Sequence, residues 1–380
     1  MSTTAKPRIV VLGAGFGGLE LTTQLSEALG DRIDVTLIDK NDSFVFGFSK
    51  LDVMFGHKQP EAVRLPYSAY AKPGVRLLRR TITAIDPDQR RVTTDDGVFD
   101  ADYLIVALGA EYDFDATPGL SGTTEFYSVA GAERLRDILP TFTKGHAIVG
   151  VCGAPYKCPP APSECALMLH DYLVDRSVRS DCRISLVLPL PSPVPPSPET
   201  SRALIEAFAE RNIDFLPSRR VASVDNARNV AVLDDGAEMP FDLFLGVPKH
   251  RVPPVVLQSG MSENGWIPVN PRTLETKYEN VYAVGDGANT GTPKAGVFAE
   301  GAAKAVATAL IAKLSQTGEM VPYDGFGTCY IEFGAGRIGK VEVDFFSGPK
   351  PTGNYHEPSV ALREDKELFG SSRRARWFGL

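Results

Sequence analysis

The chain has 380 residues, 43% of them hydrophobic, which is enough to bury a sizeable core and long enough for two or three domains. A formal net charge of -7 gives no global electrostatic case for nucleic acid, whose binding normally needs a basic stripe, so no nucleic-acid partner is expected. Five unevenly placed cysteines do not make a secreted disulfide framework, and no apolar run approaches the ~20 residues that span a bilayer. These features predict a protein that is cytoplasmic or peripheral on a membrane, with no signal peptide and no transmembrane helix.

Residues 8–39, RIVVLGAGFGGLELTTQLSEALGDRIDVTLID, read as strand, glycine-rich turn, helix and strand, a βαβ unit. Gly13, Gly15 and Gly18, with Phe16 and Gly17 between them, allow a tight turn and close backbone approach. The helix start then faces a pyrophosphate, and Asp39, next to Lys40, closes the second strand where a ribose hydroxyl needs an acceptor. An apolar strand, LIVALGA, runs through Ala107 to Gly109, and the PGLSG link after it predicts a domain boundary.

HAIVGV (146–151) is a second buried strand, followed by the loop CGAPYKCPPAPSEC (152–165) and a helical pattern. Pro155, Pro159, Pro160 and Pro162 remove N–H donors where a second pyrophosphate would need them. The next strand ends LVLPLPSP with no acid for a ribose, so this second nucleotide site is expected to be lost. Six prolines between residues 189 and 198 forbid helix or central strand there. SRALIEAFAERN reads as a helix, NVYAVGDGA as a strand ending at Gly285 and Asp286, and PKAGVFAEGAAKAVATALIAKLSQ as a long helix preceded by Lys294 and Ala295. The last fifty residues alternate as strands before a short polar and aromatic tail.

The expected fold is α/β, with two Rossmann-like units of the FAD/NAD(P)-binding type and a small C-terminal α+β domain. The boundaries expected are 1–118 with 256–320, then 119–255, then 321–380.

LIVALGA, NVYAVGDGA and PKAG together resemble the two-dinucleotide flavoproteins. That resemblance implies FAD, with Asp286 on its ribityl chain and Lys294 near a reduced flavin; no metal site is expected. PYKCPPAPSE is similar to the active-site segment of sulfide:quinone oxidoreductases and of the flavoprotein subunit of flavocytochrome c sulfide dehydrogenase. Coverage runs from GAGFGG to TCY, almost the whole chain. The resemblance implies redox roles for Cys158 and for Cys329 in the C-terminal domain. It implies oxidation of sulfide or a persulfide, with electrons passed to a quinone. The alternatives are a type II NADH:quinone dehydrogenase and a flavoprotein that donates to a cytochrome c.

Lys157 and the following helix are expected to favour a thiolate at Cys158. Glu164 either handles protons or occupies a favourable first helical turn. Cys152 and Cys165 either pack in the core or serve as auxiliary thiols; packing is expected for Cys182, and a solvated or core position for His170. The resemblance also implies non-covalent FAD, because the covalently flavinylated members carry a cysteine in the segment after the second strand and NDSFVFGFSKLDVMFG has none. Leu368, Phe369, Trp377 and Phe378 beside Arg373, Arg374 and Arg376 either form a small interfacial anchor or pack on their own domain. A homodimer is also open.

Overall fold

A computed structural model describes residues 6–380 of the protein. β1 (Arg8–Leu12), α1 (Phe16–Leu29), β2 (Asp34–Asp39), β3 (Val75–Arg79) and β4 (Tyr103–Val106) form the first unit. β5 (Gly145–Val151), α2 (Ala161–Asp175), β6 (Cys182–Leu188), α3 (Pro198–Glu210), β7 (Ile213–Pro217) and β8 (Leu243–Val247) form the second. β9 (Val281–Ala283) and α4 (Gly296–Ser315) follow, then β10 (Phe326–Glu332), β11 (Ile338–Asp344), β12 (Thr352–Ser359) and α5 (Leu362–Phe378).

The first sheet runs β9-β4-β1-β2-β3 and the second β7-β6-β5-β8, with parallel neighbours throughout both. Unbroken apolar runs such as IVVL in β1 and AIVGV in β5 suit strands covered by helices on both faces. β9 enters the first sheet beside β4, with Val281 opposite Leu104, so that sheet draws on two separated segments of chain. α4 lies along α1 on one face of it. β10, β11 and β12 make an antiparallel sheet.

The structure corrects the local expectations at three places. α3 begins at Pro198, before the expected start, because the Ser197 hydroxyl caps the Thr200 N–H and proline is tolerated in a first turn. A third C-terminal strand, β12, was not expected, since its TGNYHEPS sequence lacks an apolar alternation.

The third correction concerns the tail, which is the 17-residue helix α5. Trp377 and Phe378 are 1% and 5% exposed, so they are not an interfacial anchor. Trp377 packs edge-on against Phe16 and Phe44, at 5.6 Å from each ring. Its indole N–H donates to Glu20 at 2.8 Å, and Arg376 pairs with Glu20 and Glu27 at 3.1 and 2.9 Å. Arg373 holds Glu300 on α4 at 2.5 Å. The chain end is therefore fastened to α1 and α4, while Leu368 remains exposed. No helix among the described residues is long and apolar enough to cross a membrane.

Candidate functional site

The turns after β1, β2, β4, β5 and β9 converge on one cavity of about 940 Å³, at the strand ends where open α/β sheets bind ligands. Gly13, Gly15, Phe16, Gly17, Asp39, Lys40, Ala107, Gly109, Gly285, Asp286, Lys294 and Ala295 all line it, together with Cys158, Glu164 and Cys329.

The glycines divide into two roles. Gly13 has φ +98°, and a Cβ there would stand 2.4 Å from the Ala107 oxygen. Gly18 is off the cavity wall: a Cβ would stand 1.9 Å from the Gly13 oxygen, so this residue seats α1 on β1. Gly15 faces open space, with nothing within 4 Å of an added Cβ. A phosphate can approach there, at a helix start that carries no acid in its first turn. Asp39 accepts from the Ala14 and Asn41 N–H groups, each at 2.8 Å, which aims its carboxylate across the loop. These features fit the adenosine and pyrophosphate end of a dinucleotide.

At the opposite end, burial pushes the Asp286 carboxyl up against the pull of Lys157, Lys294 and Lys50. The Lys294 ammonium donates to the Ala288 oxygen at 2.6 Å and sits 4.2 Å from the Trp266 ring centre. Burial lowers it to about 8, so it stays mostly charged at neutral pH. α4 starts beside it with no acid in the first turn, so that helix end also favours negative charge.

The sulfur side is built from the loop before α2 and from β10. Cys158 has φ +51°, a left-handed conformation uncommon for a residue with a Cβ. Two hydrogen bonds hold it: its N–H donates to the Lys294 oxygen at 2.7 Å, and its oxygen accepts from the Ala161 N–H at 2.9 Å. Glu164, 2% exposed, accepts from the Glu332 N–H on β10 at 3.0 Å, tying α2 to the strand that carries Cys329. Burial raises the Glu164 carboxyl to about 7, opposed chiefly by Lys366. Lys366 in turn pairs with Glu332 at 2.5 Å.

The expectation of a thiolate at Cys158 is reversed. Burial, then the charges of Glu164 and Cys329, hold this thiol well above its ordinary value. Burial and Glu164 push Cys329 up to about 12. Lys157 does not help, because its ammonium donates to the Ala110 oxygen at 2.9 Å and lies over the Tyr112 ring. A dry loop with an acid in the first helical turn outweighs the field of the helix end.

Cys152, Cys165 and Cys182 are buried in hydrophobic clusters. His170 bonds Asp171 at 3.3 Å and is not on the cavity wall. Sequence reasoning missed the wall residues Lys50, Tyr112, Tyr127 and Lys366, and read Phe369, also on the wall, only as part of a tail anchor or of packing on the tail's own domain. None lies in a recognisable motif; only the fold brings them together.

In the second unit α2 starts at Ala161 although β5 ends at Val151. The N–H groups of Cys152, Cys158 and Ala161 are committed to the oxygens of Val247, Lys294 and Cys158, and Glu164 occupies the first turn.

The family model for pyridine nucleotide-disulphide oxidoreductase matches residues 7–309, most of the chain. The protein belongs to the pyridine nucleotide-disulphide oxidoreductase family. In this pyridine nucleotide-disulphide oxidoreductase, Cys329 and α5 lie beyond the matched residues. The chain is 26% identical over 362 residues to the mitochondrial sulfide:quinone oxidoreductase of Mus musculus, covering 90% of this chain and 79% of that one. It is 25% identical over 352 residues to the sulfide-quinone reductase of Aquifex aeolicus, covering 86% and 81%. The solved structure of the sulfide:quinone oxidoreductase from Aquifex aeolicus superposes with a TM-score of 0.86 over 98% of this chain and 92% of that one, at 23% identity. That likeness shows a shared fold.

Proposed function

We propose that the protein is a flavin-dependent oxidoreductase of the sulfide:quinone oxidoreductase type, with FAD held non-covalently and Cys158 and Cys329 as its redox pair. One observation carries this reading: both cysteines line the same cavity as Gly15, Asp39 and Asp286, and Glu164 lines it with them. Similarity to sulfide:quinone oxidoreductases along nearly the whole chain supports it. Residues 1–118 with 256–320 form the FAD-binding domain, 119–255 a second Rossmann-like domain without a nucleotide, and 321–380 the domain that brings Cys329.

Gly13, Gly15 and Asp39 would hold the adenosine and pyrophosphate end, and Asp286 the ribityl chain. Lys294, Lys157 and the α4 N-terminus place positive potential beside the ring end. Of the five cysteines only Cys158 and Cys329 reach the wall, which supports non-covalent binding. Bound FAD supplies a two-electron acceptor that passes the pair to a quinone.

When the two sulfurs are joined, HS⁻ attacks the bridge at Cys158: a new S–S bond forms there, the bridge breaks, and Cys329 leaves as the thiolate. Glu164 takes the proton of the incoming sulfur, a role suited to a carboxyl near 7. A second HS⁻ would then take the outer sulfur from Cys158 as HSS⁻, and the two electrons of the remaining Cys158 and Cys329 thiolates would go to the bound FAD as the bridge re-forms, so each turnover removes two electrons from one sulfide sulfur.

A type II NADH:quinone dehydrogenase is the competing reading, and the committed N–H groups and first-turn acid of α2 weigh against it. An anaerobic titration of the FAD-loaded protein tests both. Sulfide is expected to bleach the flavin, NADH is not, and Cys158→Ser and Cys329→Ser are each expected to slow bleaching by at least ~100-fold. Rapid bleaching by NADH, or wild-type rates in Cys158→Ser, would overturn the reading.

A further inference from the structure

Buried hydroxyls nearly always find an acceptor, because a dry, unpaired one is costly. Tyr127 departs from that rule on the wall of the cavity. It is 5% exposed, and its ring is held against Phe126 and His250, at 5.0 and 5.4 Å between ring centres. Its N–H donates to Glu125 at 2.6 Å, and its backbone oxygen accepts the Tyr112 hydroxyl at 2.6 Å. Among its polar atoms only the phenol oxygen is left, buried with no hydrogen-bond partner.

The groups whose charge reaches that phenol are Tyr156, Cys158, Tyr112 and Glu164. The Tyr156 hydroxyl donates to the Pro159 oxygen at 3.2 Å, Tyr112 is committed as described, and Glu164 accepts from Glu332. Cys158 remains. The phenol makes no hydrogen bond to Cys158 as the thiol stands, whereas a persulfide extends that side chain by about 2 Å.

We propose that the Tyr127 phenol donates a hydrogen bond to the outer sulfur of the persulfide formed on Cys158, and so is a further residue of the sulfide site. The proposal rests on the sulfide reading above. An ionised outer sulfur in this dry pocket needs donors, and Glu164, holding the proton it has taken from that sulfur, supplies only one. Burial holds the phenol far above its ordinary value, so it remains a donor across the working pH range. Neighbouring His250 is pushed down to about 3 by burial, so it stays neutral and adds no competing charge.

Tyr127→Phe removes the hydroxyl alone, and the full-length, FAD-loaded variant is compared with wild type for thermal midpoint, FAD content, flavin spectrum and sulfide half-reaction. With the first three matched, anaerobic sulfide is expected to leave about tenfold less cyanide-labile sulfane sulfur per FAD on the variant, and to bleach its flavin about tenfold more slowly. If wild type bleaches and the variant matches it in both sulfur readouts, the proposal is overturned while the sulfide reading stands. Changes confined to FAD content or the oxidised flavin spectrum would assign the hydroxyl to the cofactor and also overturn it. If wild type itself fails to bleach with sulfide, both readings fall.

Discussion

Glu164 shares the cavity wall with Cys158 and Cys329, with one backbone N–H and the charge of Lys366 to stabilise its anion. Because burial raises its carboxyl from 4.5 to about 7, the folded protein binds its proton more tightly than the unfolded chain between those values. Its contribution to stability therefore falls as pH rises from about 4.5 to 7 and is flat above that. Denaturant unfolding of wild type and Glu164→Gln at pH 5 and pH 8 checks this: the advantage of wild type is expected to shrink by about 3 kcal/mol between them. At this scale the sequence already displayed Cys158, Glu164 and Asp286, since each sits in a local pattern. Lys366, Tyr112 and Tyr127 were not legible, because a lone lysine or tyrosine in a polar stretch carries no sign of which cavity it will face.

The first glycine-rich turn and α1 act as one element, and their glycines fail in different ways when changed. Gly15→Ala adds a methyl group to open space, so the protein is expected to fold with an unchanged melting midpoint while its FAD affinity drops by at least ~10-fold, read by flavin retention on gel filtration. Gly18→Ala drives a methyl group into the Gly13 oxygen and is expected to cost about 1–3 kcal/mol of folding stability, read by denaturant unfolding. Equal stability of the two variants would contradict this division. The βαβ element was legible because its glycines and apolar periods agree with each other. α5 was not: apart from Trp377 and Phe378 its exposed, charged turns have no apolar stripe, and it is held by ion pairs to distant helices.

Across the whole molecule, α5 closes the chain onto its beginning. Burial pushes the Glu20 carboxyl up, but hydrogen bonds from Arg376, Trp377 and Gln24 outweigh it and hold it below the ordinary range. Arg376→Ala leaves a buried acid with fewer donors. With Arg376 itself 37% exposed, a loss of about 1–3 kcal/mol is expected, less than for a fully buried pair. Glu20 supports folding above the ordinary carboxylate range, and that support is lost as pH falls through its depressed value. The gap between wild type and Arg376→Ala should therefore close in acid, and a gap independent of pH would contradict the assignment. Because Trp377 packs on Phe16 beside the glycine-rich turn, the variant is also expected to release FAD more readily.

The sequence by itself determined the two strand-turn-helix units, the dinucleotide fingerprint, the proline-filled second turn and the two cysteine contexts, because each is written in neighbouring residues whose backbone needs are local. Only the tertiary structure decided that Cys158 and Cys329 share a cavity with Glu164 and that burial pushes both thiols up. It also decided that the tail is a clasp whose Trp377 and Phe378 are buried against the first unit. Those outcomes depend on desolvation and on contacts between distant segments, and neither is recorded in the spacing of residues along the chain.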